Sequence, residues 1–228
     1  MGKNEKVAVF DFCETLVSFQ TADAFVFYVR ENYGTKRMIY KEKLRLLLMK
    51  FRIIHFVSFF FPHSSLHKRL VLWQLRGFNK RDLEKYAQEY YENTIKPNFI
   101  QVVINKLLQL QNNGWRILIV SGGYDIYINY FALDYNIPQS DVIAVKIKYI
   151  REKCKGLFDG GDRVWDKVQI LDKLFHKDKI ESIAFSDSPT DIPLLMWANK
   201  GIVVRRSDKP KWDIKKQFDE LIWIKEEV

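Results

Sequence analysis

The chain has 228 residues, 47% of them hydrophobic and 29% charged, with a formal net charge of +9. Such a chain holds one domain with a sizeable insertion or two small domains, and this composition excludes a disordered or fibrous protein. A sequence pI near 9.4 favours acidic ligands, so phosphorylated metabolites, nucleic acid and anionic lipid headgroups are the eligible partner classes.

Val7-Ala8-Val9-Phe10 is short, apolar and rich in Val and Phe, which predicts a strand buried on both faces. It runs straight into Asp11. A carboxylate there either caps the next segment or stands at the carboxyl end of a central strand, where open α/β sheets place their chemistry. Cys13 and Cys154 are the only cysteines, there is no CxxC pair, and the amino terminus lacks a secretion-like pattern. A reducing, cytoplasmic location is therefore expected.

From about Thr21 to Asn93 the pattern is helical, with pieces over 22–30, 41–61, 66–75 and 80–93. A break is expected at Pro62-His63-Ser64-Ser65 and a stop at Gly77-Phe78-Asn79. The segment Leu44–Phe61 is long and apolar enough to raise a transmembrane question. Arg45, Lys50, Arg52 and His55 argue against a membrane span, because each central charge is costly in hydrocarbon. Arg45 and Arg52 fall on one side of such a helix, with Lys43 and Lys50 nearly opposite. The segment is expected to pack its Leu and Phe residues inward; its alternative role is a basic, aromatic surface in weak peripheral contact with membrane lipid.

Beyond Pro97 helices and strands alternate. A helix over 98–111 stops at Asn112-Asn113-Gly114, and strand 115–120 leads into Ser121-Gly122-Gly123, read as a tight turn. A helix over 126–135, a strand around 142–147 and a loop or hairpin at Cys154-Lys155-Gly156 come next. Helix 166–175 carries Lys167 in its first turn, and strand 182–185 ends in Ser186-Asp187-Ser188-Pro189-Thr190-Asp191. A last helix to Ala198 and a strand over 201–204 complete the alternation. The expected fold is α/β, a Rossmann-like parallel sheet with helices on both faces, formed by residues 1–17 and 96–228. An all-helical cap, residues 18–95, is inserted after the first strand.

Three strand ends thus present polar chemistry: Asp11, Ser121, and Asp187 with Asp191. Lys167 begins a helix between the second and third of these ends. The ordered set resembles the haloacid-dehalogenase-like hydrolases, in their phosphoserine-phosphatase-like branch. The family's DxDxT stands here as Asp11-Phe12-Cys13-Glu14-Thr15, its strand-then-Ser motif as Ile117-Leu118-Ile119-Val120-Ser121, its lysine as Lys167, and its GDSxxD as Ser186-Asp187-Ser188-Pro189-Thr190-Asp191. The resemblance implies that Asp11 is a nucleophile forming an aspartyl-phosphate. It further implies a Mg²⁺ held by Asp11, the backbone carbonyl of Cys13 and Asp187, with Asp191 supporting the shell or a metal-bound water. Lys167, Ser121 and the amides of Gly122 and Gly123 would bind the phosphoryl oxygens.

The chain departs from the family pattern where it matters for proton transfer. Cys13 replaces the second aspartate, the acid that protonates the leaving oxygen, a service typically worth about 10²–10⁴-fold. Adjacent Glu14 could substitute only if its loop turned it inward. Ser186 replaces a Gly, Thr190 an Asn, and Gln20 the Glu that meets a substrate ammonium, which makes phosphoserine a weaker expectation than another small phosphorylated metabolite. The expected function is therefore a Mg²⁺-dependent phosphomonoesterase acting on such a metabolite. Its alternatives are a phosphatase of phospholipid headgroups at the membrane surface and a catalytically weakened phospho-ligand binding protein. Nucleic acid is not an expected partner, because no basic recognition helix or stacking platform is legible.

Overall fold

The computed structural model describes residues 5–60, 65–212 and 218–224. The break expected at Pro62-His63-Ser64 lies outside the described residues. Seven strands form one sheet: β1 (Glu5–Phe10), β2 (Arg116–Tyr124), β3 (Val142–Ile150), β4 (Lys153–Asp159), β5 (Ile180–Ser186), β6 (Lys200–Arg206) and β7 (Asp219–Trp223). Their spatial order is β4-β3-β2-β1-β5-β6-β7. All neighbours are parallel except β3 and β4, which pair antiparallel as a hairpin. The hairpin is one of the two forms expected around Cys154-Lys155-Gly156, and β4 and the short β7 add to the five strands expected. A seven-residue β4 starting two residues after β3 has no room for the crossover helix that parallel pairing requires.

β1 lies at the centre because its side chains satisfy both faces. Ala8 and Phe10 enter the cluster shared with the helical insertion, and Val7 and Val9 enter the opposite one with Leu118, Leu171 and Leu195. The Phe10 ring stacks flat on Phe185 of β5, with centroids 4.3 Å apart. The chain leaves β1 towards β2 on one side and reaches β5 and β6 on the other. The order therefore reverses at β1, which opens a crevice beyond its carboxyl end.

Between β1 and β2 run α1 (Thr21–Tyr33), α2 (Lys36–Lys50), α3 (Ile53–Phe60), α4 (Leu66–Trp73), α5 (Lys80–Tyr90) and α6 (Gln101–Asn112). The crossovers after β2, β4 and β5 carry α7 (Asp125–Asp134), α8 (Arg163–Leu174) and α9 (Ile192–Trp197). On α1 the buried residues Ala22, Phe25, Val26 and Val29 recur at helical spacing, and Phe25 packs on the rings of Tyr90, Tyr124 and Tyr127.

Two expectations about the insertion are corrected. The stretch from Leu44 to Phe61 is not one helix: α2 ends at Lys50, Arg52 takes the left-handed φ of 56°, and α3 starts at Ile53. Nor do its Leu and Phe residues pack inward, since Leu46, Leu47, Phe51, Phe56, Phe59 and Phe60 are exposed. The inner face of α2 carries Lys41 and Arg45 instead, both buried. Lys41 Nζ donates to the carbonyls of Trp73 at 2.9 Å and Gln74 at 3.4 Å, satisfying the end of α4. Arg45 forks onto Glu42, with both contacts at 2.7 Å. A helix end needs cationic donors, so polarity went inward.

The insertion is tied to the sheet edge by main-chain bonds. Gly77 N donates to Cys154 O, Cys154 N to Phe78 O, and Lys80 N to Glu152 O, each at 2.9 Å. Gly156 on β4 has φ of +66°, and a Cβ there would lie 2.8 Å from Trp73 Cα on α4. Backbone cannot yield as a side-chain tip does. Gly156→Ala is expected to cost about 2–4 kcal/mol, which lowers Tm by roughly 5–10 °C in a thermal melt. A melt within 2 °C of wild type would show that this approach has room.

Candidate active site

Four segments deliver the site to the crevice. β1 is followed by Asp11, β5 ends in Ser186 and is followed by Asp187 and Asp191, and α8 supplies Lys167, whereas Ser121 on β2 is fully buried beside Cys13 and does not itself line the cavity. Lys167 is the fifth residue of α8, not in its first turn as expected, because the helix begins at Arg163. That added depth buries its ammonium between Asp11 Oδ1, 3.2 Å away, and Asp191 Oδ2, 2.6 Å away. Burial opposes the charge on Lys167, but the two carboxylates outweigh it and its pKa rises.

The carboxylates are oriented by small hydroxyls. Ser186 Oγ donates to Asp191 Oδ2 at 2.6 Å and accepts from Ser188 N. Thr15 Oγ1 donates to Asp187 Oδ1 and accepts from Asp187 N, both at 3.0 Å. Trp212 Nε1 donates to the Asp187 carbonyl at 2.8 Å. Asp11 N donates to Phe185 O, and Phe12 N returns a bond to Asp11 Oδ1 at 2.8 Å. Asp11 Oδ1 is thus engaged twice, whereas Oδ2 has no hydrogen-bond partner among the described residues.

Cys13 faces a different setting. Its sulfur lies 3.0 Å from Thr21 Oγ1 and 4.0 Å from Ser121 Oγ, and Thr21 Oγ1 lies 2.8 Å from Tyr127 OH. Burial, then the nearby Asp11 carboxylate, pushes the thiol pKa up, so it stays protonated at neutral pH. Glu14, at φ of 54°, accepts from Gln20 Nε2 at 2.6 Å and lines a neighbouring cavity with Arg206 and Trp212, so it is not turned inward beside Cys13.

Ser121-Gly122-Gly123 is not a turn. It is the extended end of β2, whose pairing with β3 shifts register between Val120 and Tyr124. Gly122 lines the crevice, but Gly123 N donates to Ser121 Oγ at 3.0 Å, so this amide is already used. A Cβ on Gly123 would meet Tyr127 OH at 2.9 Å, which explains the missing side chain by packing.

The crevice is a cavity of about 320 Å³ that brings together Asp11, Cys13, Lys167, Gly122, Asp187 and Asp191. Gln20 lines it as well, from the insertion side. Sequence reasoning missed the rest of that wall: Asp23 on α1, and His67 and Lys68 on α4. No motif marks these residues; only the packing of α1 against α4 makes them neighbours.

The sequence profile described as haloacid dehalogenase-like hydrolase matches residues 8–196, from within β1 to α9. The chain belongs to the haloacid dehalogenase-like hydrolases. No curated protein sequence matches it. Among solved structures, a Bordetella pertussis Tohama I protein of unknown function is similar at a TM-score of 0.77 and 15% identity, covering 96% of this chain and 99% of that one. Phosphoserine phosphatase in its apo form is similar at 0.61 and 21% identity, covering 96% and 93%. A HAD family hydrolase of Salmonella enterica serovar Typhi is similar at 0.64 and 16%, covering 96% and 68%. This hydrolase therefore shares its fold with phosphoserine phosphatases.

The charge of the site bears on the metal that the family implies. Asp11, Asp187 and Asp191 face one ammonium, and that ammonium is spent on Asp11 and Asp191. Burial first, then Asp11 and Glu14, raises the Asp187 pKa from 3.8 to about 8; burial and Asp191, against Lys167, raise that of Asp11 to about 6. Such a set of hard oxygens, short of positive charge, fits a divalent cation. No three His, Cys, Asp or Glu side chains among the described residues form a metal cage by themselves.

A carboxyl whose folded pKa exceeds its unfolded value costs stability as pH rises between the two. In EDTA, Asp187→Asn should therefore melt higher than wild type near pH 8, and the gap should close towards pH 4, where both side chains are neutral. Thermal melts at the two pH values check this; a gap independent of pH would contradict the charge balance described above.

Proposed function

We propose that this hydrolase is a phosphomonoesterase working through an aspartyl-phosphate on Asp11. The observation that carries this is the asymmetry of the Asp11 carboxylate. Its Oδ1 is held by Phe12 N and Lys167, and its Oδ2 is left to attack. Attack on phosphorus forms the Oδ2–P bond and expels the substrate alkoxide, and water then cleaves the acyl phosphate to return Asp11 and inorganic phosphate. Lys167, fixed by two carboxylates, would hold a phosphoryl oxygen and the Gly122 amide another; Ser121 Oγ, buried beside Cys13 and accepting from Gly123 N, keeps its hydrogen free to donate to a third. Gly123 is dropped from this role because its amide is spent.

We assign Mg²⁺ to Asp11, the Cys13 carbonyl and Asp187; bound there, it would offset the negative charge of carboxylates and phosphate. Asp191 is assigned to orienting Lys167, since its Oδ2 accepts from Lys167 Nζ and from Ser186 Oγ, both at 2.6 Å. A cap of residues 18–95 would close over the substrate. On its wall, Arg45 Nη1 donates to His67 Nε2 at 2.9 Å, so His67 carries its proton on Nδ1, 3.5 Å from Asp23 Oδ2. Lys68 is paired with Asp162 at 2.6 Å, and Asp23 shares the field of the Arg45 guanidinium while keeping hydrogen-bond acceptor capacity on the wall. This wall favours a small metabolite bearing hydroxyl or amino donors over one with a second anionic group. Two free, buried cysteines fit the reducing cytoplasm.

Asp11→Asn should reduce phosphate release to background against a panel of sugar phosphates, amino-alcohol phosphates and phosphoserine, and EDTA should do the same to the wild type until Mg²⁺ is returned. Activity retained by Asp11→Asn would refute the covalent route.

The missing acid gives a sharper expectation. General-acid help lowers a barrier only where negative charge builds on the departing oxygen. At saturating Mg²⁺, Cys13→Asp should raise kcat at least tenfold on alkyl phosphates and leave p-nitrophenyl phosphate nearly unchanged. An unchanged ratio between the substrates would place the proton donor elsewhere, and no release by either protein would favour the phospho-ligand binding reading.

A further inference from the structure

Residues 36–60 hold seven lysines and arginines against one acid, Glu42. Glu42 points inward, where Arg45, Arg30 and Gln74 bind it at 2.7, 2.9 and 2.8 Å. The outer face of α2 and α3 consequently carries no acidic group of its own; Glu31 of α1, paired with Arg30, borders it beside Ile39 and Lys43. Lys36, Lys43 and Lys50 recur every seventh residue and so align along exposed α2, with Ile39 and Leu46 on one flank and Tyr40 and Leu47 on the other, all exposed. None of the three lysines has an ion pair among the described residues. Around and beyond the break at Arg52, Phe51, Ile53, Phe56, Phe59 and Phe60 are exposed as well; Phe59 is 80% exposed and Phe56 67%. Phe60 contacts the rings of Phe56 and Phe59 with centroids 5.0 and 5.4 Å apart.

Exposed apolar side chains concentrated on two packed helices in this way mark a contact surface. Its lysines decide what covers it. In a symmetric pairing of two copies the lysine line would face itself across an apolar contact, burying like charges without partners. Against an anionic bilayer the same pattern is favourable: phenyl rings enter the acyl boundary, and lysine stems lie along them with ammonium groups at the lipid phosphates. No described helix is long and apolar enough to cross a membrane, so the contact lies on its surface.

We propose that the outer face of α2 and α3 docks this protein on an anionic lipid bilayer. α3 packs against α4, the helix that carries His67 and Lys68 to the crevice wall, so the docked face is one helix away from the cleft. The inference does not depend on the phosphatase reading. Arg45, buried against Glu42 and His67, has no part in it.

The test is flotation of the purified protein with phosphatidylcholine vesicles and with vesicles containing phosphatidylglycerol. Wild type should float with the anionic vesicles, less so at high salt and less with phosphatidylcholine alone. Lys43→Gln with Lys50→Gln, and separately Phe56→Ser with Phe59→Ser, should each lower the partition coefficient about tenfold or more. Both pairs should keep the wild-type melt and the wild-type rate on p-nitrophenyl phosphate. Absence of wild-type flotation, or equal flotation by both double variants, overturns the proposal. So does a concentration-dependent dimer, seen by light scattering and lost in the phenylalanine variant, in a protein that does not float.

Discussion

The Lys167 ammonium, buried between Asp11 and Asp191, is the interaction on which the site depends. Three carboxylates brought to one crevice repel each other in a medium that screens poorly. A single buried cation with two partners recovers enough attraction to offset desolvation, and its geometry also sets the roles of the acids. Asp191, 2.6 Å from Lys167, is tied up as an orienting group. Asp11, engaged through Oδ1, leaves Oδ2 without a hydrogen-bond partner among the described residues, as the proposed nucleophilic role requires. Asp187, bound by Thr15 and remote from any ion pair among the described residues, keeps a raised pKa and the capacity to take a cation.

Two departures from the family pattern make sense around this cluster. Ser186, where a glycine is usual, gives Asp191 a second donor at 2.6 Å, so the hydroxyl adds to the restraint on Lys167. Cys13 places a neutral, protonated thiol where a fourth carboxylate would otherwise adjoin the cluster, and Thr21 and Tyr127 form a hydroxyl chain behind it. The cluster is thereby less repulsive than one with a fourth carboxylate, and in the proposed reaction the thiol would be a poorer proton donor to a leaving group.

The insertion has the reverse of an ordinary amphipathic arrangement. Its inner face spends Lys41 on the carbonyls ending α4 and Arg45 on Glu42 and His67, while lysines and phenylalanines share the outside. One charged network thus supports the cleft wall through His67, and the apolar residues left over form the outer face. Wall and face are products of the same choice of which side of α2 meets the sheet edge.

Asp11, Ser121, Lys167, Asp187 and Asp191 were legible in the sequence, as was the alternation of strands and helices, because each chemical residue directly follows or closely adjoins an apolar run that can only be a buried strand or its crossover. Local pattern also marked Leu44–Phe61 as unusual. What it held no information on was direction. Which side of α2 faces inward depends on orphan carbonyls at the end of α4, about thirty residues away, and only the folded chain brings them to Lys41. The depth of Lys167, the extended course of Ser121-Gly122-Gly123, and the presence of Asp23, His67 and Lys68 on the cleft wall were decided in the same way. Chain order determines which groups stand at the strand ends; partners distant in sequence determine where each side chain finally points.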